Sequence, residues 1–323
     1  MKTLKELKEK EESTGTAYDD AFRTLLVKRP HLVIPLINEA FGEDYPMNAG
    51  IELSQNEHFL TVRDGSVAKR ITDSSLKMWK NVRDLGRKYI LEAQSVEDGR
   101  VLIRIAEYVL SEALENSGVE NDTLRITVAH AAVLYLRSGI RTPDAMTIEI
   151  VTSGGEVSFS VPIVKMAGYT LNQIFEKKLF FLLPFYIFTR EKELAVCNED
   201  RDKLAGLEAE FAGIMTRLNS AVEARDIDVY DLRVIVDMME HVLKKIAEKY
   251  SNVREGVGAV MGGRVLRVQG EEFYNAGVER GLEQGLERGL EQGRREERQS
   301  IMARLIAGGI STQEAARYVG LTV

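Results

Sequence analysis

Alternating polar and apolar positions mark a β-hairpin in the first third of the chain. Residues 68–78, AKRITDSSLKM, and residues 87–95, RKYILEAQS, both read as strands. NVRDLG lies between them and carries the Asp and Gly expected of a turn. Because the turn sets the register of a hairpin, a turn centred between Val82 and Arg83 predicts which residues of the two strands face each other.

The segments after the hairpin predict a helix and then further strands. Residues 126–136 form a continuous β-rich run, as expected for a central buried strand, and residues 145–165 predict two strands around a Gly-Gly turn. The helix is marked by an apolar stripe made of Val101, Leu102, Ile105, Val109 and Ala113.

Helical patterns occupy both sides of this region. One helix runs through residues 18–28, and Pro30 opens a second that Gly42 closes. Residues 170–183 predict an amphipathic helix, and residues 199–250 are helical and highly charged. The chain is therefore α/β at the front and helical behind.

A glycine repeat with a period of four residues lies near the C-terminus, within GVERGLEQGLERGLEQG. Each Gly destabilises a helix by about 1 kcal/mol relative to Ala. Two interpretations stay open: a flexible linker, or a helix whose glycines allow close contact with another helix. The chain ends with a helix, a Gly turn and a second helix, but no third, base-reading helix follows.

Length and pattern together predict five regions, since 323 residues suffice for about two domains. They are a lead-in at 1–13, an α/β domain at 14–198, a helical region at 199–270, the glycine-leucine-glutamate repeat at 271–299 and a helix-turn-helix-like hairpin at 300–323.

Composition indicates a globular protein of the cytoplasm. Hydrophobic content is 44% and charged content 29%, which argues against wholesale disorder. A single cysteine, Cys197, allows no internal disulfide and favours a reducing compartment. The longest apolar run, residues 179–188, falls short of the roughly 20 residues that span a bilayer. We therefore expect no membrane association.

Charge gives two opposed indications about nucleic acid. The net charge of −7 counts against a nucleic-acid binder, whose contact surface should be basic. The window 69–88, however, holds seven basic residues against two acidic ones, a net of +5. That window predicts either a DNA-binding surface or a hairpin edge kept soluble by its lysines.

The hairpin brings three oxygen-bearing side chains together. Glu92 and Gln94 are two residues apart and so share one face of their strand, and the turn places Asp73 opposite Glu92. Two facing carboxylates repel unless a cation lies between them, and hard oxygen ligands suit Mg²⁺ or Mn²⁺. The alternative is that both acids are exposed and neutralised by Lys77 and Lys88.

These residues and several longer motifs resemble one nuclease superfamily. Asp73, then Glu92-Ala93-Gln94, then Arg104 and Tyr108 on the following helix resemble the PD-(D/E)XK nucleases, and most closely their recombination-promoting nuclease and transposase branch. The matching segments are YDDAFRTLL at 18–26, LEAQS at 91–95, IRIAEY at 103–108, VLYLR at 133–137 and TLNQIFEKKLFFLLPFYIF at 170–188.

The resemblance implies a Mg²⁺-dependent endonuclease that cuts double-stranded DNA, built on a mixed β-sheet flanked by helices. Asp73 and Glu92 would ligate the metal, and Gln94 would take the third position of the motif, often glutamine in this branch. Asp19 matches the acidic position of the family's opening motif, but Tyr18 stands where many relatives carry histidine. The resemblance further implies a link to recombination or mobile elements.

Four residues are candidate DNA contacts. Arg104 and Tyr108 are four residues apart on one side of their helix and could meet phosphate. Lys77 and Arg70 belong to the basic window. The alternative for the first two is a structural Arg–Tyr face near Glu107.

A second hypothesis is that the chain has the same fold but does not cut DNA. In it the chain is a catalytically inactive, oligomeric DNA-binding or regulatory scaffold that assembles through its glycine repeat. A third interpretation is that the repeats pair two chains and bring two active sites to opposite DNA strands. Both agree with a homodimer or higher oligomer.

Overall fold

The hairpin predicted from the alternating pattern forms two neighbouring strands of a six-stranded sheet. The computed structural model describes residues 17–53, 57–61, 67–71, 74–81, 84–95, 99–115 and 117–262, with the backbone alone for 57–61 and 67–71. The predicted cap at Thr14 or Thr16, the glycine repeat and the C-terminal hairpin lie outside these residues.

Two N-terminal helices precede the sheet. Helix α1, Ala17–Lys28, is followed by the 3-10 turn Pro30–Val33 and by α2, Ile34–Phe41. Pro30 begins the turn without losing a hydrogen bond, since the first N–H groups of a helix have no partner within it. Gly42 ends α2 in the left-handed conformation, with φ of 65°. Both ends are as predicted.

The sheet is mixed, with the strand order β1-β4-β5-β8-β10-β9. β5 runs parallel to β8, and β8 runs parallel to β10, whereas the other neighbours are antiparallel. The strands in the described part of the chain are β1 Gly50–Leu53, β2 Glu57–Thr61, β3 Val67–Ile71, β4 Ser74–Trp79, β5 Arg87–Gln94, β6 Gly118–Glu120, β7 Thr123–Arg125, β8 His130–Tyr135, β9 Ala145–Thr152 and β10 Gly155–Lys165. The chain is therefore α/β, as the sequence predicted.

The β4–β5 hairpin has the register that the turn predicted, from Ser74 opposite Leu91 to Met78 opposite Arg87. The prediction of one strand over 68–78 is wrong. β3 pairs with β2 in a separate two-stranded sheet, whereas β4 pairs with β1 and β5. The pairing partner thus changes between β3 and β4, which the alternating pattern alone does not reveal.

Helix α3, Val101–Glu115, connects β5 to the parallel strand β8, as parallel strands require a crossover. It packs on one face of the sheet through Ile105 and Val109, which belong to a buried cluster with Ile90 of β5 and Val133 of β8. Leucine, isoleucine and valine side chains buried in this way stabilise a fold by about 1.5–3 kcal/mol each. This buried layer lies next to the candidate site, on the same face of the sheet.

The opposite face of the sheet meets aromatic side chains. Tyr89 of β5 is fully buried and lies 5.1 Å from Phe41 of α2, measured between ring centroids. His130 stacks on Tyr89 at 5.4 Å, so this histidine acts in packing. Phe22 of α1 meets Phe181 edge-on at 5.1 Å. The central strands are thus buried on both faces.

The predicted amphipathic helix at 170–183 is only partly correct. Helix α4, Leu171–Glu176, begins at a capping box formed by Thr170 and Gln173, but a 3-10 segment, Phe180–Glu193, follows it. Lys178 has φ of 54°, which breaks the helical path, and Pro184 lacks the N–H that an α-helix would use. Burial of Phe180 to Phe188 holds this segment in place.

The predicted helical region after residue 199 is confirmed. It contains α6 Arg201–Glu223, α7 Val229–Ile246 and α8 Ser251–Met261, and α5, Leu194–Glu199, directly precedes it. Asp231 near the start of α7 is buried and binds Arg29 at 2.5 Å and His31 at 2.9 Å, which ties α7 to the N-terminal helices. Within the described residues, no helix is both long enough and apolar enough to cross a membrane.

Candidate functional site

Glu92 and Gln94 lie near the carboxyl end of β5, on the face that α3 covers. Alternation along β5 places both on the side of Ile90, which is in the core beneath α3. Glu92 is 5% exposed, and Gln94 is partly exposed. A carboxylate so deeply buried requires compensation by positive charge or hydrogen bonds.

Two side chains donate to the same oxygen of Glu92. Arg104 Nε lies 3.2 Å from Glu92 Oε1, and Gln94 Nε2 also lies 3.2 Å from that atom. The Arg104 side chain is 16% exposed, so the ion pair sits at the edge of the core. The arrangement brings together three of the residues that the sequence singled out.

Asp73 lies outside the described residues, and its position opposite Glu92 stays a prediction. The hairpin register is described as far as Ser74, the next residue along the chain. Ser74 itself is buried and donates its hydroxyl hydrogen to Leu91 O at 2.9 Å.

The alternative in which Glu92 is an exposed strand residue is wrong, because Glu92 is buried. Lys88 directs its ammonium group at Glu112 of α3, with Nζ 3.1 Å from Oε1. Lys77 lies opposite Lys88 in the hairpin and is partly exposed. The positive charge beside Glu92 therefore comes from Arg104 and not from Lys77 or Lys88.

Asp19 belongs to the first turn of α1, which approaches the end of β5. Its neighbour Tyr18 forms a hydrogen bond with Ser95, with 2.6 Å between the hydroxyl oxygens. Ser95 directly follows Gln94, and Arg137 donates to its carbonyl oxygen at 3.3 Å. Tyr18 thus anchors α1 beside the candidate site.

A second buried carboxylate, Glu112, was not predicted from the sequence. Ser75 Oγ lies 3.0 Å from both carboxylate oxygens of Glu112, which is 4% exposed. Arg104, Tyr108 and Glu112 recur every four residues, so one stripe of α3 faces the hairpin. The sequence does carry a signal for Glu112, because it lies one further helical turn along the stripe that Arg104 and Tyr108 begin.

The structure describes the side chain of Tyr108, but it describes only the backbone of Arg70. Tyr108 is 3% exposed and packs in the core between α3 and the sheet, which favours the structural interpretation of its ring. Arg70 lies in β3 opposite His58, in the separate two-stranded sheet. Only the backbone of β3 is described, so a DNA contact through Arg70 stays a prediction.

The basic window is partly neutralised by acids from elsewhere in the chain. Lys80 pairs with Asp44, and Arg87 pairs with Glu43. Lys88 is also paired, with Glu112. Three of the seven basic residues therefore have acidic partners outside the window, and the net charge of this surface falls below +5.

The oxygen donors at the site are of the kind that Mg²⁺ or Mn²⁺ binds. Glu92 offers a carboxylate, Gln94 offers a carboxamide, and the guanidinium of Arg104 already places positive charge on Glu92. In the described part of the chain, no three His, Cys, Asp or Glu side chains cluster as metal ligands. Asp73 would be the second carboxylate.

Comparison with protein-family models, with curated proteins and with solved structures gives no match for this chain. The resemblance to the PD-(D/E)XK nucleases therefore rests on the residues and motifs quoted above.

Proposed function

We propose that this protein is a metal-dependent DNA endonuclease of the PD-(D/E)XK type, from the recombination-promoting nuclease and transposase branch. One observation carries the proposal: the buried carboxylate of Glu92 lies with Gln94 and Arg104 at the end of a hairpin strand. A buried acid near the end of a central strand, with polar neighbours, is more typical of a site than of a core.

Glu92 and Asp73 would hold a Mg²⁺ or Mn²⁺ ion between the two hairpin strands. When bound, such an ion polarises a phosphoryl oxygen and lowers the pKa of a bound water molecule. Gln94 would orient the attacking water or the scissile phosphate with its carboxamide. Asp19 would act from α1, which Tyr18 anchors to Ser95 at the same end of β5.

The proposed substrate is double-stranded DNA, cut by phosphodiester hydrolysis without a covalent enzyme intermediate. Lys77 and Arg70 of the basic window are the proposed backbone contacts. A link to recombination or mobile elements follows from the family resemblance alone.

Conversion of supercoiled plasmid in the presence of Mg²⁺ or Mn²⁺ tests this proposal. We expect the wild type to nick or linearise the plasmid and the variants Asp73→Ala and Glu92→Ala to leave it intact. Glu112→Gln is the matched control, because Glu112 is a buried carboxylate of α3, the helix that covers Glu92, and we assign it no catalytic part. Equal background activity in all four proteins would refute the proposal.

A second candidate is a catalytically inactive DNA-binding scaffold with the same fold. It is favoured by the charge pairing at the site, since Arg104 already balances Glu92 and Lys88 already binds Glu112. A scaffold needs no divalent metal, whereas the nuclease should bind Mn²⁺ and lose it on Asp73→Ala. If the repeats pair two chains, removal of residues 270–323 should turn double-strand cutting into nicking or leave a monomer.

A further inference from the structure

Arg137 joins the carboxyl ends of the parallel strands β5 and β8 to the 3-10 segment. It follows Leu136, whose backbone N–H donates to Gln94 O at 2.8 Å. Nη1 of Arg137 donates to the next carbonyl oxygen of that chain end, Ser95 O, at 3.3 Å. Its other two nitrogens bind the two carboxylate oxygens of Glu191, at 2.5 and 2.7 Å. These contacts therefore lie directly beside Gln94 of the candidate site.

Aromatic contacts extend the same group of residues to α1. The guanidinium carbon of Arg137 lies 4.7 Å from the centroid of the Phe188 ring, which is a cation–π contact. Tyr18 meets Phe188 edge-on, with 5.9 Å between ring centroids, and its hydroxyl oxygen lies 2.6 Å from that of Ser95. The first turn of α1, which carries Asp19, is thus held against the end of β5.

The shape of the guanidinium allows all of these contacts at once. Two of its nitrogens face one carboxylate, the third donates to a carbonyl oxygen, and its flat face lies on a ring. A lysine ammonium lacks this planar fork, so it would keep the charge beside Glu191 but not the whole set of contacts. The side chains of Arg137 and Glu191 are 35% and 33% exposed, so the ion pair alone contributes little stability.

We propose that Arg137 is a positioning residue of the candidate site, which fixes the end of β5, and with it Gln94, relative to α1. The inference rests on the proposed function, which gives Gln94 and Asp19 parts in the hydrolysis of DNA. Arg137 acts through Ser95 and Phe188, and we assign it no contact with DNA or metal. Misplacement of a reacting group by about 1 Å slows a reaction by on the order of 100-fold.

Steady-state cleavage of a DNA duplex in Mg²⁺ by full-length Arg137→Gln separates positioning from substrate binding. We expect kcat to fall by on the order of 10- to 100-fold while KM for the duplex stays unchanged, because Arg137 holds the site and not the substrate. Arg137→Lys should recover only part of kcat. Full recovery by lysine would show that charge alone suffices and would overturn the proposal.

Arg190→Gln is the matched control. Arg190 belongs to the same 3-10 segment, its side chain is also 35% exposed, and it pairs with Glu210 at 2.6 Å. Its replacement should lower the urea midpoint about as much as Arg137→Gln does, but it should leave kcat at the wild-type value. A merely structural Arg137 would give the same result as this control.

Hydrogen exchange in the metal-free protein tests the contacts without an activity assay. The backbone N–H of Leu136, which donates to Gln94 O, should exchange on the order of tenfold faster in Arg137→Gln than in the wild type, because the strand ends open more often locally. Arg137→Lys should show a smaller increase, which keeps the test available if Arg137→Gln does not fold. Arg190→Gln should leave this N–H unchanged.

The outcomes separate this inference from the proposed function. If the wild type cleaves DNA and Arg137→Gln keeps its kcat, the positioning part is refuted and the proposed function stands. Equal exchange of the Leu136 N–H in wild type and Arg137→Gln has the same meaning. If the wild type does not cleave DNA with Mg²⁺ or Mn²⁺, the proposed function fails, and the positioning part fails with it.

Discussion

Replacing Glu112 by Ala should destabilise the fold while leaving the metal site intact. Glu112 accepts a hydrogen bond from the buried Ser75 hydroxyl at 3.0 Å and pairs with Lys88 at 3.1 Å. A hydrogen bond to a charged group contributes about 1.5–3 kcal/mol. The partly exposed Lys88 pair adds no more than about 1 kcal/mol after solvent screening. We therefore expect a loss of about 1.5–4 kcal/mol in the free energy of unfolding.

Urea denaturation followed by Trp79 fluorescence measures this loss, because Trp79 is the single tryptophan and lies in β4 with Ser75. The midpoint should fall with little change in slope. Glu115→Ala, an exposed change on the same helix, should stay within about 0.5 kcal/mol of the wild type. A loss below 1 kcal/mol for Glu112→Ala, or loss of Mn²⁺ binding by the folded variant, would contradict the structural part given to Glu112.

Two further predictions concern the sheet and the helical region. Gly50→Ala should lower the free energy of unfolding, measured by urea denaturation, by about 1–3 kcal/mol, because a Cβ there would lie 2.0 Å from the indole of Trp79. Gly118→Ala is the control and should change it little, because a Cβ there would meet no atom within 4 Å. Burial raises the pKa of Asp231, but hydrogen bonds led by that of His31 outweigh it and hold the pKa below the ordinary 3.8. Asp231→Asn should therefore lower stability by about 3 kcal/mol at pH 7, a deficit that shrinks only as the pH falls below about 3.8. A deficit unchanged at pH 3 would refute this.

The hairpin was predictable because its determinants are local. The turn predicted between Val82 and Arg83 and the alternation of each strand together define one register, and β4 and β5 adopt it. The shared face of Glu92 and Gln94 follows from the same alternation. The caps at Pro30 and Gly42 likewise depend on the conformations that these two residues prefer.

The remainder depends on contacts between residues distant in sequence. Whether 68–78 forms one strand or two depends on distant partners, because β2 pairs with β3 whereas β1 pairs with β4. The burial of Glu92 depends on where α3 packs, and the Ser75–Glu112 bond joins residues 37 positions apart. No periodicity within a segment carries that information, so the sequence alone left Glu92 either exposed or in a metal site.

The dependence of the cleavage rate on Mg²⁺ tests the central claim, that the buried carboxylate of Glu92 carries metal-dependent hydrolysis of DNA. Initial rates would be measured on a duplex for the wild type and Glu92→Gln over a range of Mg²⁺ concentrations. We predict that the wild-type rate rises with Mg²⁺ to a plateau. In Glu92→Gln it should fall by on the order of 100-fold or more, because the variant loses a charged ligand of an ion that supplies several kcal/mol. Equal rates in the two proteins, or no Mg²⁺-dependent cleavage by the wild type, would contradict the claim.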